Sequence, residues 1–526
     1  MKSYFMLVLH SHLPFVKHPE YDYFLEEHWL YEAITECYGP LLLNFEKLLS
    51  ENVDFRVTIS LTPPLCEMLS DPFLISRYEK YLDRSLSLCE KELERTKNDF
   101  TFFNLAKFYR DRLTAIKRYI FEDLDGNVLK GFKKFNDLGK IEIITCGATH
   151  GFLPFLSVNE QIVEAQIKIA VDNFKKHFGK NPSGIWLPEC AYFKGVASVL
   201  SKYKIRYFFV DTHGIIYGRP KPRYGVYAPV YTEEGVAAFG RDYHSSKQVW
   251  SSIEGYPGDY NYRDFYRDVG YDLDFDYVKD YIVPDGTRVF TGIKYYKITG
   301  KTDHKEPYNS ENAYFRTMDH AKHFVLEREN QAKNLMQFMD RKPLIVSPYD
   351  TELFGHWWFE GPDFLLNVFR EMHKSEIISP ITPSEYLSEY PTNQILDVNP
   401  SSWGDKGYYE VWLNGENDWI YRHILNMGNI YIDIVKKYKD TDDNLKKRVL
   451  NQMARELVLA QSSDWAFLIT TGTAVEYAKK RTKEHIYNFM RLKDFIESDY
   501  IDENFLQKLE IKHSIFADLD LIHYFH

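Results

Sequence analysis

The chain has 526 residues and a net charge of −11 at neutral pH, too long for one simple core and too acidic to offer the basic footprint that a phosphate backbone requires. Hydrophobic residues at 44% and charged residues at 27% are ordinary for a globular protein, but an aromatic share of 16%, with 40 Tyr, 37 Phe and 9 Trp, is not. Nucleic acid is thus excluded as a partner, no stretch reaches the length of a membrane span, and a neutral substrate such as a polysaccharide fits the charge.

The first apolar run, Tyr4–His10 in MKSYFMLVLHSH, is short, is broken by His10 and precedes no small-residue cleavage site, so it reads as a β-strand and not as a signal peptide. Six more runs read as buried parallel strands: Phe55–Ser60, Ile141–Gly147, Gly184–Pro188, Arg206–Asp211, Arg288–Lys294 and Leu344–Asp350. Helical patterns such as Asn159–His177 and Ala191–Lys204 lie between most of them. That alternation calls for an α/β fold with a parallel sheet, here of seven or eight units closing into a barrel. Residues 66–137 are charged and amphipathic and read as a helical insertion. The interval Tyr217–Asp285 is rich in Tyr, Gly and Asp with little periodicity, and long irregular intervals of this kind tend to be functional. After Pro400 the pattern is helical, as in Asp442–Gln461 and Thr473–Glu497. The expected organisation is a barrel over 1–65 and 138–399, an insertion over 66–137 and a C-terminal helical domain over 400–526. Five cysteines, odd in number and without CxxC spacing, fit a reducing, cytoplasmic setting and offer no structural zinc site.

Barrels of this kind carry chemistry at the C-terminal ends of their strands. The runs end in His10-Ser-His12, Gly147-Ala-Thr-His150, Trp186-Leu-Pro-Glu189, Asp211-Thr-His213 and Asp350-Thr-Glu-Leu-Phe-Gly-His356-Trp357-Trp358. Five strands converging with ionisable and aromatic residues on one rim make a site. Two carboxylates there, Glu189 and Asp350, suit glycoside cleavage, one as nucleophile and the other as proton donor. Taken singly, each is as well explained as a cap on the following helix. The His10–His12 pair can also ligate zinc with Asp211 or Asp350 as third ligand, which would make a metal-dependent deacetylase or mannosidase. A non-catalytic glucan-binding protein with an aromatic groove is a further alternative. Trp403 and Trp412 lie in the Gly-containing stretch SSWGDKGYYEVWLN, where a ring is better explained as a stacking surface than as core.

HSHLPF, GATHGF, WLPECAY, SPYDTELFGHWWFEGP and the SSW…W/SSDW pair occur in this order over nearly the whole chain, and together they resemble the five signatures of glycoside hydrolase family 57. The resemblance is to the subgroup of α-1,4-glucan branching enzymes and bacterial α-amylase C-type proteins. It implies a (β/α)7 barrel and a retaining mechanism with no metal or other cofactor, acting on amylose, starch or glycogen. By motif, it implies Glu189 as nucleophile and Asp350 as general acid/base, with His10, His12 and His150 around the glucose next to the scissile bond. Trp29, Trp186, Trp357, Trp403, Trp412, Asp464 and Trp465 are implied for the glucan groove. Hydrolysis and branching would share every catalytic residue; hydrolysis is slightly favoured, and a tyrosine-bearing loop within Tyr231–Trp250, with Tyr231 or Tyr243 at its tip, would decide between them.

Overall fold

The computed structural model describes residues 2–251, 255–283, 286–498 and 500–525. Its strands, in chain order, are β1 (Ser3–Ser11), β2 (Val57–Leu61), β3 (Ile141–Ile144), β4 (Gly184–Ile185), β5 (Tyr207–Val210), β6 (Val230–Tyr231), β7 (Ala237–Gly240), β8 (Leu344–Asp350) and β9 (Ile378–Pro380). One sheet runs β3-β2-β1-β8 with β9 also beside β1, and all its pairings are parallel. The second runs β4-β5-β7 in parallel, with the short β6 antiparallel on its edge. A parallel bridge between Thr145 and Ile185 links β3 to β4. At the other end, the Asp242 N–H just after β7 donates to the Val346 carbonyl of β8 at 2.8 Å.

The period-2 geometry of these strands explains where the site lies. Met6, Val8, Ile144, Cys146, Trp186, Tyr207, Phe209, Ala237, Phe239, Leu344 and Val346 form one apolar cluster, distinct from the larger one that packs the strands on the helices. Two residues further along the same faces come His10, Asp211 and Arg241, and Asp350 ends the face of Leu344 and Val346. The register sets His10 opposite both Ser60 and Asp350. The side of the strands that is greasy in the middle therefore becomes polar at the C-terminal rim.

Six of the seven sequence runs contain strands. The sixth, Arg288–Lys294, does not. Its β-branched and aromatic residues favour a strand, but the buried Asp268 carboxylate takes the Thr291 and Gly292 amides at 2.9 and 3.0 Å, and Gly292 sits at φ 81°. Amides held by a side chain are lost to a ladder. The corresponding strand is β7, inside the interval expected to be irregular. Its Ala-Ala-Phe-Gly sequence lacks the β-branched signal that marks strands. That interval also holds the helix Tyr243–Trp250, while its residues 252–254 and 284–285 lie outside those described.

The 66–137 interval is helical as expected, with Asp71 and Asp99 capping the antiparallel helices Pro72–Thr96 and Phe100–Arg118. The C-terminal part contains the helices Trp419–Tyr438, Asn444–Ala460, Ser463–Thr471, Val475–Ser498 and Glu503–Lys512. Among the described residues no helix is long and apolar enough to cross a membrane.

Burial also sets how stability responds to acid. His10, His18, His28, His150, His320, His485 and His513 are all held below the ordinary imidazole value by burial, His18 and His320 to about 4, His28 and His485 to about 3. Below the unfolded value of about 6.5 the unfolded chain binds protons that the folded chain refuses, so stability falls as pH falls. Glu32 and Glu352, raised to about 7, and Glu26, Glu189, Asp350 and Glu360, also raised chiefly by burial, act in the opposite sense but are outnumbered once the lowered carboxyls Glu20, Glu36 and Asp464 are set beside the histidines. The thermal midpoint is expected to drop steadily between pH 6.5 and 4; a flat or rising midpoint over that range would contradict it.

Candidate active site

Glu189 occupies a 3-10 turn, Pro188–Cys190, immediately after β4, with φ 61° at Glu189 and 50° at Cys190. His150, in the loop after β3, is also left-handed at φ 58°. Such backbone costs roughly 1–3 kcal/mol per residue and persists where the surroundings hold it. At Glu189 the holding is visible. Trp403 Nε1 donates to Oε2 at 2.9 Å, Ser463 Oγ donates to Oε1 at 3.0 Å, and the Trp403 N–H donates to the Glu189 carbonyl at 3.1 Å.

The proton positions behind Glu189 follow from these contacts. Since Ser463 gives its proton to the carboxylate, it must accept from His150 Nδ1, 2.8 Å away. His150 then carries its proton on Nδ1 and presents a lone pair at Nε2, to which His10 Nε2 donates at 3.0 Å. His10 Nδ1 is left as acceptor for the Ser60 hydroxyl at 3.2 Å. One directed chain, Ser60 to His10 to His150 to Ser463 to Glu189, thus fixes both tautomers. It requires both imidazoles to be neutral, which burial enforces.

His12 lies beside this chain, its ring stacked on His150 at 3.8 Å. It bonds Thr62 Oγ1 at 3.0 Å and Asp464 Oδ2 at 3.0 Å. Asp464, in the first turn of the helix Ser463–Thr471, also accepts from Ser462. Its carboxyl is buried but brought down to about 2 by His12, His150 and Ser462.

Asp350 is the last residue of β8. Burial first, then the nearby Glu352 and Glu189 carboxyls, push it well above the ordinary carboxylate range against the pull of Arg241. Among the described residues no side chain donates a hydrogen bond to it. Glu189 is also raised by burial, but the Trp403 and Ser463 donors oppose that rise. The two carboxyls therefore sit in contrasting environments. The turn after Asp350 is clamped to the π-helix Ala33–Tyr38: Tyr38 donates to Glu352, Glu36 holds His356 Nδ1 at 2.7 Å, and Gly355 at φ 125° lies so close that a Cβ would come within 1.9 Å of the Glu36 carbonyl oxygen.

The indoles divide into two groups. Trp403 touches Glu189 directly. Trp357 is 57% exposed and stacked on Phe265 at 4.7 Å, and Trp29 is half-buried, edge-on to Tyr477. Trp186, Trp412 and Trp465, expected in the groove, have no open face. Trp186 underlies His10 at 4.8 Å, Trp412 stacks on Phe152 at 4.7 Å, and Trp465 donates to the Leu459 carbonyl at 2.8 Å. Trp186 thus supports His10 from beneath, and Trp412 and Trp465 belong to the core, all three being at most 1% exposed. Tyr231 is no loop tip, being paired in β6 with its hydroxyl on the Pro391 carbonyl; Tyr243 starts a helix and is 59% exposed.

Asp211 does not join the histidine pair as a zinc ligand; it is held by Arg241 at 3.2 Å and lies 3.7 Å from His213. Among the described residues, the groupings at the site that bring ligating atoms within 4.8 Å are His10–Cys146–His150 and His12–His150–Asp464. In both, every imidazole nitrogen already bonds a protein atom. Ser463 and Arg241 escaped the sequence reading. Only the Ser463-Asp464-Trp465 wording of one motif pointed near the first of them.

Residues 6–399 match the model of glycosyl hydrolase family 57, and residues 423–524 match that of the 1,4-alpha-glucan branching enzyme C-terminal region. A 1,4-alpha-glucan branching enzyme of Thermococcus kodakarensis is 35% identical over 97% of this chain and 77% of its own length. The alpha-amylase AmyC of Thermotoga maritima is 47% identical, covers 100% of this chain and 99% of its own, and superimposes with a TM-score of 0.94. A branching enzyme of Pyrococcus horikoshii is 36% identical with a TM-score of 0.90, covering 100% and 97%. The chain is an enzyme that belongs to glycosyl hydrolase family 57.

Proposed function

We propose that this enzyme cleaves α-1,4-glucosidic bonds of starch- or glycogen-type glucans with retention, through a glycosyl intermediate on Glu189. The contrast between the two carboxyls carries the reading: Glu189 accepts two hydrogen bonds that favour its ionised form, and Asp350 is buried beside another carboxyl, which favours its protonated form. In the first step Glu189 attacks the anomeric carbon while Asp350 gives its proton to the departing glycosidic oxygen. In the second, Asp350, now a carboxylate, takes a proton from the acceptor as that acceptor displaces Glu189. His10, His12 and His150 line the subsite of the glucose being transferred and orient Glu189 and Asp464 through bonds that use all their ring nitrogens, and the Asp464 carboxylate keeps lone pairs for a sugar hydroxyl. The fold is read as a (β/α)7 barrel over 1–65 and 138–399, supported by the two junctions between the sheets. The same reading takes 66–137 as a helical insertion and 400–526 as a C-terminal helical domain. Five free, buried thiols support a cytoplasmic setting.

Water is the favoured acceptor, giving an α-amylase outcome, because neither Tyr231 nor Tyr243 is set to close over the carboxyls and exclude water. Transfer to a 6-hydroxyl is the second reading, carried by the match of residues 423–524 to the branching-enzyme model. Incubation with amylose, followed by debranching and chain-length analysis, separates them. Reducing ends alone mean hydrolysis, new α-1,6 links mean branching, and no change in chain length overturns both.

Ser463 is a positioning residue in this scheme. Ser463→Ala is expected to lower kcat about 10- to 100-fold, the size of a hydrogen bond lost to a charged group, with a smaller change in KM. The acidic limb of the kcat/KM profile should move to higher pH, because Glu189 loses a donor that favours its ionised form. Ser463→Thr should restore much of the rate. An unmoved acidic limb would show the role to be merely structural.

A further inference from the structure

A cleft of about 470 Å³ opens beside Trp403, away from the histidine chain. One wall is the helix Tyr243–Trp250, whose Tyr243, Ser246, Lys247 and Trp250 all line it. Their spacing of i, i+3, i+4 and i+7 puts them on one helical face. Tyr243 is 59% exposed and Trp250 37%, so both rings are open to a ligand. Trp250 stands edge-on to Trp403 at 6.4 Å, and Trp403 in turn bonds Glu189 Oε2. The floor is polar: Arg241 bonds Ser246 Oγ at 2.8 Å and Asp211 at 3.2 Å, and its guanidinium lies 6.0 Å from the Trp403 ring. The opposite wall is the strap Gly404–Gly407, where the Gly407 carbonyl accepts from His213 Nε2 at 2.6 Å and any Cβ on Gly407 would strike the His213 ring at 2.8 Å.

Aromatic faces over a floor of paired charges form a site for a neutral, many-hydroxyl ligand, because ring faces cover the apolar side of a sugar and the charged groups meet its hydroxyls. The two oxygens of Glu189 give the direction. Oε1 faces Ser463 and His150, the side on which the proposed function puts the transferred glucose; Oε2 faces Trp403, whose ring stands against Trp250 of this cleft. We infer that the cleft is the acceptor-side subsite, binding a short run of α-glucan units beyond the cleaved bond with Trp250 and Tyr243 as stacking platforms and Arg241, Asp211 and His213 as hydroxyl partners. The inference rests on the assignment of Glu189 as nucleophile.

The test compares amylose with α-maltosyl fluoride, whose leaving group is fluoride and which has no sugar on the acceptor side. For Trp250→Ala, kcat/KM on amylose should fall about tenfold more than on the fluoride, the size of a lost stacking contact. Trp250→Phe should recover most of that difference, and Tyr243→Ala should show a smaller one. Equal falls on both substrates, or no fall on either, overturn the subsite. If the wild-type enzyme turns over neither substrate, the catalytic reading fails, and the cleft is judged by maltoheptaose binding read from tryptophan fluorescence. Saturable binding weakened about tenfold in Trp250→Ala sustains the cleft, and an unchanged or absent binding curve overturns it.

Discussion

Replacing Glu189 with glycine is expected to abolish turnover while leaving a folded protein. The backbone at φ 61° is strained for glutamate and relaxed for glycine, so the exchange relieves strain as it removes the carboxylate. Loss of a nucleophile that forms a covalent intermediate should reduce kcat by about 10⁴-fold or more. Azide added to Glu189→Gly with an activated α-maltosyl fluoride should occupy the vacated space and give the β-glycosyl azide, of inverted configuration. Near-normal activity without azide, or an α-product, would remove Glu189 from the role. The thermal midpoint checks that any loss is chemical and not a loss of fold.

Asp350→Asn should separate the two halves of the reaction. Cleavage of amylose needs a proton on the leaving oxygen, and its loss should cost about 10²–10⁴-fold in kcat/KM. Fluoride departs without that help, so α-maltosyl fluoride should suffer far less in the first step and accumulate as glycosyl-enzyme. Azide then gives the α-glycosyl azide, the opposite anomer to that from Glu189→Gly. The pH profile supplies a second readout. Activity requires Glu189 ionised and Asp350 protonated, so it rises on the acidic limb with Glu189 and falls on the basic limb as Asp350 loses its proton. Burial, Glu352 and Glu189 hold Asp350 well above the ordinary carboxylate range, and the basic limb should lie correspondingly high. Asp350→Asn should erase that limb, and Glu352→Gln should move it to lower pH. A basic limb that survives in Asp350→Asn belongs to another group.

The carboxyls owe their contrast to long-range contacts. Glu189 is held by residues 214 and 274 positions away, Trp403 and Ser463. Asp350 is disturbed by Glu352, only two residues on, but Glu352 is itself raised by burial and bonded to Tyr38 of the π-helix. Equal residue types thus acquire unequal protonation from what surrounds them, and that inequality is what general acid and nucleophile require.

Local sequence was enough wherever the signal is local. Six strand runs, the charged helices of 66–137, the C-terminal helices and the rim positions of His10, His12, His150, Glu189 and Asp350 were legible, because apolar runs and strand-end motifs record backbone period and burial directly. The failures share one cause. Arg288–Lys294 has strand propensity but loses its amides to Asp268, some twenty residues away, whereas Ala237–Gly240 lacks propensity and becomes a strand because β5 and the edge of β8 lie beside it. Trp186, Trp412 and Trp465 carry the same indole as Trp403, and only packing decides which ring faces are filled. Likewise, Ser463 becomes part of the site because the helix it begins is docked against Glu189 and His150. The sequence by itself determined which residue types stand at the strand ends. Tertiary structure alone decided their tautomers, their protonation and which rings remain open, since these depend on neighbours that are distant in the chain and close in space.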